Sequence, residues 1–175
     1  GLGMCQMALA ETAQRQTLPS FQAKDIAAGC NAKIADVKKQ LKAFVNKPLK
    51  NETAAAPVLA EWDRIFASFE DFYGPIGLYS NVDPDEALRK AAEDCEIKIS
   101  QFQTDVYQNP KLYQQIKKIK IADPIEAKFR EDILEGFEKT GIQLSADKQA
   151  RLKAIFDELA KIEQEYARNV RDNPE

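Results

Sequence analysis

Apolar residues recur every three or four positions along most of this chain, and that spacing constrains the fold more than any other feature. One face of an α-helix carries apolar side chains at this interval, whereas a half-buried strand alternates at every second position. The pattern predicts helices at 21–46 and 55–73, followed by three further long or medium helices and one short one. We therefore predict an all-α fold: an antiparallel bundle of about six helices, without a convincing strand.

Local signals predict where these helices begin and end. Asp, Asn and Ser side chains cap helix N-termini, Pro suits the first helical position, and Gly favours the residue after the C-terminus. The predicted starts are Asp83-Pro84 with Glu86 after it, Asn109-Pro110, Asp123-Pro124 with Glu126 after it, and Ser145. The predicted ends are Lys47-Pro48, Gly74-Pro75 with Gly77 after it, and Gly141.

The last helix carries a long apolar series that continues almost to the end of the sequence. Its members are Leu152, Ile155, Phe156, Leu159, Ile162, Tyr166 and Val170. The second helix carries an equally thick aromatic stripe, which we interpret as core and not as a cofactor pocket, because aromatic rings bury large apolar areas.

Composition narrows the classes of function. Hydrophobic residues make up 44% of the 175 residues and charged residues 30%, which is ordinary for a globular domain. The net charge is −3 and the basic residues are spread among acids, so we predict no nucleic-acid partner. No stretch is long and apolar enough to span a membrane, so we predict no membrane partner.

Histidine is absent from the sequence. This excludes a histidine general base, a Ser-His or Cys-His pair, and a His-Glu-x-x-His zinc site within these residues. An enzyme using carboxylates alone would need a protected pair, and nothing distinguishes Asp94, Glu96, Glu163 or Glu165 from the many other acids. We therefore predict no catalytic, cofactor-binding or metal-binding residue in this chain.

The first ten residues are uncharged and mostly apolar or small, and the sequence then turns polar at Glu11. The small residues Ala8 and Ala10 fit a signal-peptidase site. We interpret 1–10 as the remnant of a signal peptide, 11–20 as a linker arm and 21–175 as a helical domain. The alternative is a flexible apolar N-terminus. The signal interpretation predicts a periplasmic or secreted protein.

Of the three cysteines, Cys5 would leave with the signal, and Cys30 and Cys95 would remain. Both lie on apolar faces of predicted helices. In an oxidising compartment they could form a disulfide between the first and third long helices. Two buried free thiols packing as small hydrophobic groups are the alternative, because the sequence gives no distance between them.

Two segments resemble a known family. SNVDPDEALRKAAEDCEIKISQFQTDVYQNPKLYQQI (80–116) contains an x-Leu-Arg-x-Ala helix start and a later Leu-Tyr pair. FREDILEGFEKTGIQLSADKQARLKAIFDELAKIEQEYARNVRDNP (129–174) contains an x-x-Gly-x-x-Leu turn and a long helix that ends in Tyr and Asn. Their order and spacing resemble the N-terminal region of the thimet oligopeptidase and oligopeptidase A family of zinc metallopeptidases, over about residues 55–173.

This resemblance implies a non-catalytic helical part of a two-lobed peptidase that cleaves short peptides inside a channel. It implies a zinc site in the full-length parent, held by His-Glu-x-x-His and a further Glu, none of which this chain supplies. The expected partners are the C-terminal catalytic lobe of the same polypeptide and short peptides. The alternative function is a free-standing periplasmic helical bundle that binds another protein through an apolar groove.

Overall fold

A computed structural model describes residues 21–49 and 55–173, and these residues form six α-helices and no strand. The predicted signal remnant and linker arm, at 1–10 and 11–20, lie outside the described residues. The all-α prediction is confirmed. The helices are α1 (Ala23–Asn46), α2 (Ala55–Val82), α3 (Glu86–Tyr107), α4 (Pro110–Lys117), α5 (Pro124–Lys139) and α6 (Ala146–Asp172).

Helix α3 is the centre of the bundle and contacts α1, α2 and α6. Lys33 bonds Ser68 while Phe44 contacts Trp62, so α1 and α2 run antiparallel. The pairs Gln108–Gln149 and Glu93–Arg171 show that α6 runs antiparallel to α3. Helix α3 is also antiparallel to α2, because Phe69 contacts Phe102 and Phe66 contacts Tyr107. Helices α1 and α3 therefore run parallel to each other.

The core lies between α1, α2 and α3 and extends under α4 and α5. Phe44, Phe69 and Phe137 are its largest fully buried side chains. Trp62 lies between Phe44 and Phe137, with ring centroids 5.7 and 6.0 Å away. The aromatic stripe of the second predicted helix is therefore core, as expected, and it joins α1 to α5.

Helix α2 does not end where the sequence predicted. The Gly74-Pro75 pair was expected to break it, but the helix continues through Pro75 to Val82. Ile76 is fully buried and Ser80 nearly so, which continues the stripe of Phe69 at helical spacing. Burial of that stripe outweighs the cost of an internal proline, and Gly74 has no Cβ to collide with the Pro75 ring.

Helix α3 begins two residues later than predicted. Its N-cap is Asp85, whose carboxylate accepts a hydrogen bond from the Ala87 N–H at 2.9 Å. Asp83 instead accepts from the Asp85 N–H and forms the preceding turn. The Arg89 guanidinium donates to the carbonyls of Asp83 and Pro84, which holds that turn outside the helix.

Helix α1 begins at Ala23, two residues after the predicted start, whereas the predicted boundaries at Asn109, Asp123, Gly141 and Ser145 are confirmed. The Asn109 side chain caps α4 and the Asp123 side chain caps α5, each accepting two backbone hydrogen bonds. Gly141 follows α5 with a φ of +81°, and its N–H bonds the Glu138 carbonyl. The Ile142 N–H bonds the Phe137 carbonyl, which completes a Schellman motif. Ser145 is the N-cap of α6, although its side chain makes no capping bond.

Candidate interaction face

Two of the carboxylates considered in the sequence, those of Asp94 and Glu96, each have a partner in the structure. Asp94 pairs with Lys90 on its own helix, and Glu96 accepts a hydrogen bond from Gln164 at 2.8 Å. Within 21–49 and 55–173 there is no group of three or more His, Cys, Asp or Glu side chains placed to hold a metal ion. These residues do not fit the zinc ion of the resembled family.

No helix in the described ranges combines the length and the apolar character needed to cross a bilayer.

The most unusual surface lies on α6. Five large apolar side chains of this helix are exposed by between 45% and 70%: Ile155, Leu159, Ile162, Tyr166 and Val170. Their spacing of four, three, four and four residues places them on one side of the helix. We call this row the α6 stripe. Single exposed apolar residues are ordinary, but a continuous row of five is typical of an interaction surface.

The α6 stripe is distinct from the face by which α6 joins the bundle. Ala160 is the buried apolar residue of α6, and Leu152 and Phe156 are half-buried beside it. At about 100° per residue, the centre of the stripe lies about 80° around the helix from the centre of this inner face. The apolar side of the helix is therefore one wide arc, and the bundle covers only the part of it around Ala160.

Polar bonds fix this orientation of α6. Near its C-terminus the Arg171 guanidinium donates to the Glu93 carboxylate at 3.0 Å and to the Ser80 carbonyl at 2.7 Å. Glu93 is buried, whereas the Arg171 side chain keeps 22% of its surface exposed, so water reaches this ion pair from the Arg171 side. Near the N-terminus of the helix Lys153 pairs with Asp105 of α3 at 2.7 Å. Rotation of the stripe onto the bundle would break bonds at both ends.

Charged partners strengthen the attachment of the C-terminal end of α6 to the bundle. The hydrogen bonds that Arg171 donates to the carboxylates of Asp172, first, and Glu93, second, raise its pKa, so the guanidinium stays charged. In return, the hydrogen bond from Arg171 lowers the pKa of Asp172. The arrangement can hold α6 in one orientation and present an apolar row to another surface.

The structure also places the two cysteines that the sequence singled out. Cys30 and Cys95 are buried and joined by a disulfide between α1 and α3, with their Cα atoms 5.9 Å apart. They lie within the core and away from the α6 stripe, so they contribute to the scaffold.

Sequence periodicity identified every member of the α6 stripe as apolar but did not separate it from Leu152 and Phe156 of the inner face. A signal was present, because seven apolar positions on one helix cover a wider arc than a single contact face needs.

No protein-family model matches the sequence. The chain is similar to a thimet-like oligopeptidase of Dictyostelium discoideum, with 26% identity over 144 residues. The alignment covers 77% of this chain and 21% of that protein, so the chain spans about a fifth of the length of the relative it matches. The relative bears the name of the family that segments 80–116 and 129–174 resemble.

Proposed function

We propose that this chain is the non-catalytic N-terminal helical region of a zinc-dependent oligopeptidase, and that the α6 stripe packs against another part of the same polypeptide. The observation that carries the proposal is the exposure of the five stripe residues in a chain that matches 21% of an oligopeptidase. The remaining four-fifths of such a protein supplies a surface that could cover them.

Exposure of the α6 stripe to water has a cost in free energy that a covering surface would remove. Complete burial of a fully exposed large apolar side chain contributes about 1.5–3 kcal/mol, and a stripe residue that is already half covered gains about half of that. Five such residues held on a rigid helix form the apolar centre of an interface, and the charged residues beside them form its rim. In this role the bundle forms part of the wall of the substrate channel and limits access to short, unfolded peptides.

The zinc ion of the proposed parent would be bound outside these residues. It would supply the activation of a water molecule for peptide hydrolysis. The contribution of this chain is structural: it positions a wall and supports the catalytic lobe. The chain by itself is expected to have no peptidase activity.

We further propose a periplasmic or secreted location. The uncharged first ten residues with a small-x-small cleavage pattern support it, and so does a disulfide between Cys30 and Cys95, since such bonds persist in oxidising compartments.

The first test is the coding sequence downstream of Glu175. The proposal requires a His-Glu-x-x-His motif within a few hundred codons. A stop codon directly after Glu175 would instead favour the free-standing bundle, in which the α6 stripe would bind a separate protein.

The second test measures whether the stripe is covered in the longer polypeptide. In a Cys5→Ser background, Leu159→Cys places a thiol on the stripe and Lys161→Cys places one on the polar side of the same helix. Both thiols should react rapidly with a maleimide in the 175-residue chain. In the longer polypeptide only the Leu159→Cys thiol should become slow to react. Equal reactivity of the two thiols in the longer polypeptide would exclude the proposed contact.

A further inference from the structure

A groove between α1, α3 and α4 is separate from the α6 stripe. One cavity of about 280 Å³ lies between α1, α3 and the start of α4, and a second of about 330 Å³ continues along α1 and α3. The two share Lys38, Phe102 and Asp105, so they form one continuous depression. We call it the α1–α3 groove.

The floor of the groove is apolar. Leu41, Phe102, Val106 and Leu112 contribute to it, and each is at least nine-tenths buried. A floor of this kind favours apolar side chains of a ligand, because the water above it is released on binding.

The rim of the groove is basic. Four lysines line it, namely Lys38, Lys42, Lys98 and Lys111. Within the described ranges Lys38, Lys42 and Lys111 have no carboxylate within ion-pair distance. The Lys38 amine lies 5.6 Å from the centre of the Phe102 ring, and the Lys98 amine donates to the Asn31 side chain.

The one acid of the groove does not offset this charge. Asp105 lines both cavities, but its carboxylate pairs with Lys153 of α6 at 2.7 Å. Four lysines therefore face one carboxylate that is already paired, in a chain whose net charge is −3. The groove concentrates positive charge on an otherwise acidic molecule, and that attracts anionic ligands.

The length of the groove indicates the size of the ligand. It extends along α1 from Asn31 to Asn46, which corresponds to about 22 Å of helix. An extended peptide covers about 3.3 Å per residue, so about six residues fill this length. A lipid headgroup or a single phosphate would engage one end and leave the remaining lysines without partners.

We infer that the α1–α3 groove binds an extended acidic peptide of about six residues, with carboxylates on the lysine rim and apolar side chains on the Phe102 floor. Alternating acidic and apolar residues match this geometry, because successive side chains of an extended chain point to opposite sides. The inference does not depend on the proposed peptidase, since every contributing residue belongs to this chain.

The test uses a fluorescent hexapeptide, Glu-Leu-Glu-Phe-Glu-Leu, with Gln-Leu-Gln-Phe-Gln-Leu as the neutral probe, and measures anisotropy against the 175-residue chain. The acidic probe should saturate below about 1 mM and weaken as salt rises from about 50 to about 300 mM. The neutral probe should bind at least about fivefold more weakly.

Matched variants locate the site. Lys38→Gln/Lys42→Gln removes two charges from the groove, and Lys148→Gln/Lys161→Gln removes two exposed charges from α6. The groove variant should lose about five- to tenfold in affinity for the acidic probe, while the α6 variant should stay within about twofold of the parent. Urea unfolding curves that match the parent confirm that neither variant disturbs the fold.

Three results would overturn the inference: equal binding of the two probes, equal loss in both variants, or no saturation below about 1 mM. A chain that sediments with phosphatidylserine vesicles, and is not released from them by the acidic probe, would assign the basic rim to a membrane surface instead.

Discussion

At the scale of single residues, the ring of Tyr107 leaves no room for a side chain at Gly136. A Cβ at Gly136 would lie 2.8 Å from the Tyr107 ring, which is confined by Phe66 and Phe137. Gly136→Ala should therefore lower the free energy of unfolding by about 1–3 kcal/mol, as overpacking does in other cores.

Gly77→Ala is the matched control for Gly136→Ala. A Cβ at Gly77 meets only the carboxylate of Glu96 at 3.1 Å, and this carboxylate can shift slightly while it keeps the hydrogen bond that Gln164 donates to it. This variant should keep the parent stability or gain up to about 1 kcal/mol of helix propensity. Urea unfolding measures both variants, and an equal loss in the two would refute the role of the Tyr107 ring.

Glu93 is the buried acid that attaches the end of α6 to the bundle. Glu93→Ala removes the partner of Arg171 and Arg168, and we expect a loss of about 1–3 kcal/mol in the free energy of unfolding. Asp94→Ala, one residue later, breaks only an exposed pair with Lys90 and should cost below about 0.5 kcal/mol. Similar costs for the two changes would show that the Glu93 pair contributes little.

The neighbouring Asp172 gives this attachment a pH dependence. Arg171 lowers the pKa of Asp172 from its ordinary 3.8, so the carboxylate binds its proton more weakly in the folded chain. The resulting stabilisation is complete above the unfolded-state pKa and is lost as pH falls through the lower folded value. Carbon-13 NMR titration should find the Asp172 pKa below 3.8, and Arg171→Gln should raise it towards that value. An unchanged titration in Arg171→Gln would show that the Arg171 hydrogen bond does not lower the pKa of Asp172.

At the scale of helices, the caps of α5 and α6 make different contributions. The Asp123 carboxylate accepts from the N–H groups of Ile125 and Glu126 at 2.8 and 3.0 Å, whereas Ser145 makes no side-chain capping bond. Asp123→Ala should cost about 0.5–2 kcal/mol, and Ser145→Ala below about 0.5 kcal/mol. Chemical denaturation of the two variants measures the difference, and equal losses would contradict it.

These caps show which parts of the fold the sequence could predict. The starts at Asn109 and Asp123 and the end at Gly141 depend on bonds within a few residues, so local chemistry determines them. The continuation of α2 through Pro75 depends on burial of Ile76 against other helices, which no local signal contains. Tertiary packing outweighed the local preference of Gly74-Pro75 for a break.

The candidate interaction face was predictable in composition but not in position. Periodicity indicated that Leu159 and Ile162 lie on an apolar side of the last helix. It could not indicate that the bundle contacts Phe156 and Ala160 while Leu159 stays exposed, because that choice is fixed by bonds to other helices such as Arg171 to Glu93. The basic groove was not predictable for the same reason, since Lys38 and Lys42 of α1 lie far in the sequence from Lys98 and Lys111.

At the scale of the whole molecule, the two surfaces belong to different sides of the central helix α3. The α6 stripe lies on the helix that covers one side, and the α1–α3 groove lies where α1 and α4 cover the other. In the region between these two surfaces, the aromatic core and the Cys30–Cys95 disulfide join α1 to the rest of the bundle. The substitutions that test each surface leave Asp105 and Lys153 unchanged, because their ion pair joins the groove to α6.

The Cys30–Cys95 disulfide should contribute to the stability of the whole fold. It joins residues 65 positions apart. In the chain-entropy model, closing a loop of that length raises the free energy of the unfolded chain by about 4 kcal/mol. In a Cys5→Ser background, the oxidised chain should show no free thiol when denatured, and reduction should release two. Reduction should also lower the free energy of unfolding by about 2–4 kcal/mol.

A Cys30→Ala/Cys95→Ala variant separates the cross-link from side effects of the reductant. Its unfolding curve should be the same with and without the reductant, and its stability should lie near that of the reduced chain. Two free thiols in the denatured, unreduced protein would instead identify Cys30 and Cys95 as buried thiols. In that case the link between α1 and α3 would depend on packing alone, and the disulfide would no longer support a periplasmic or secreted location.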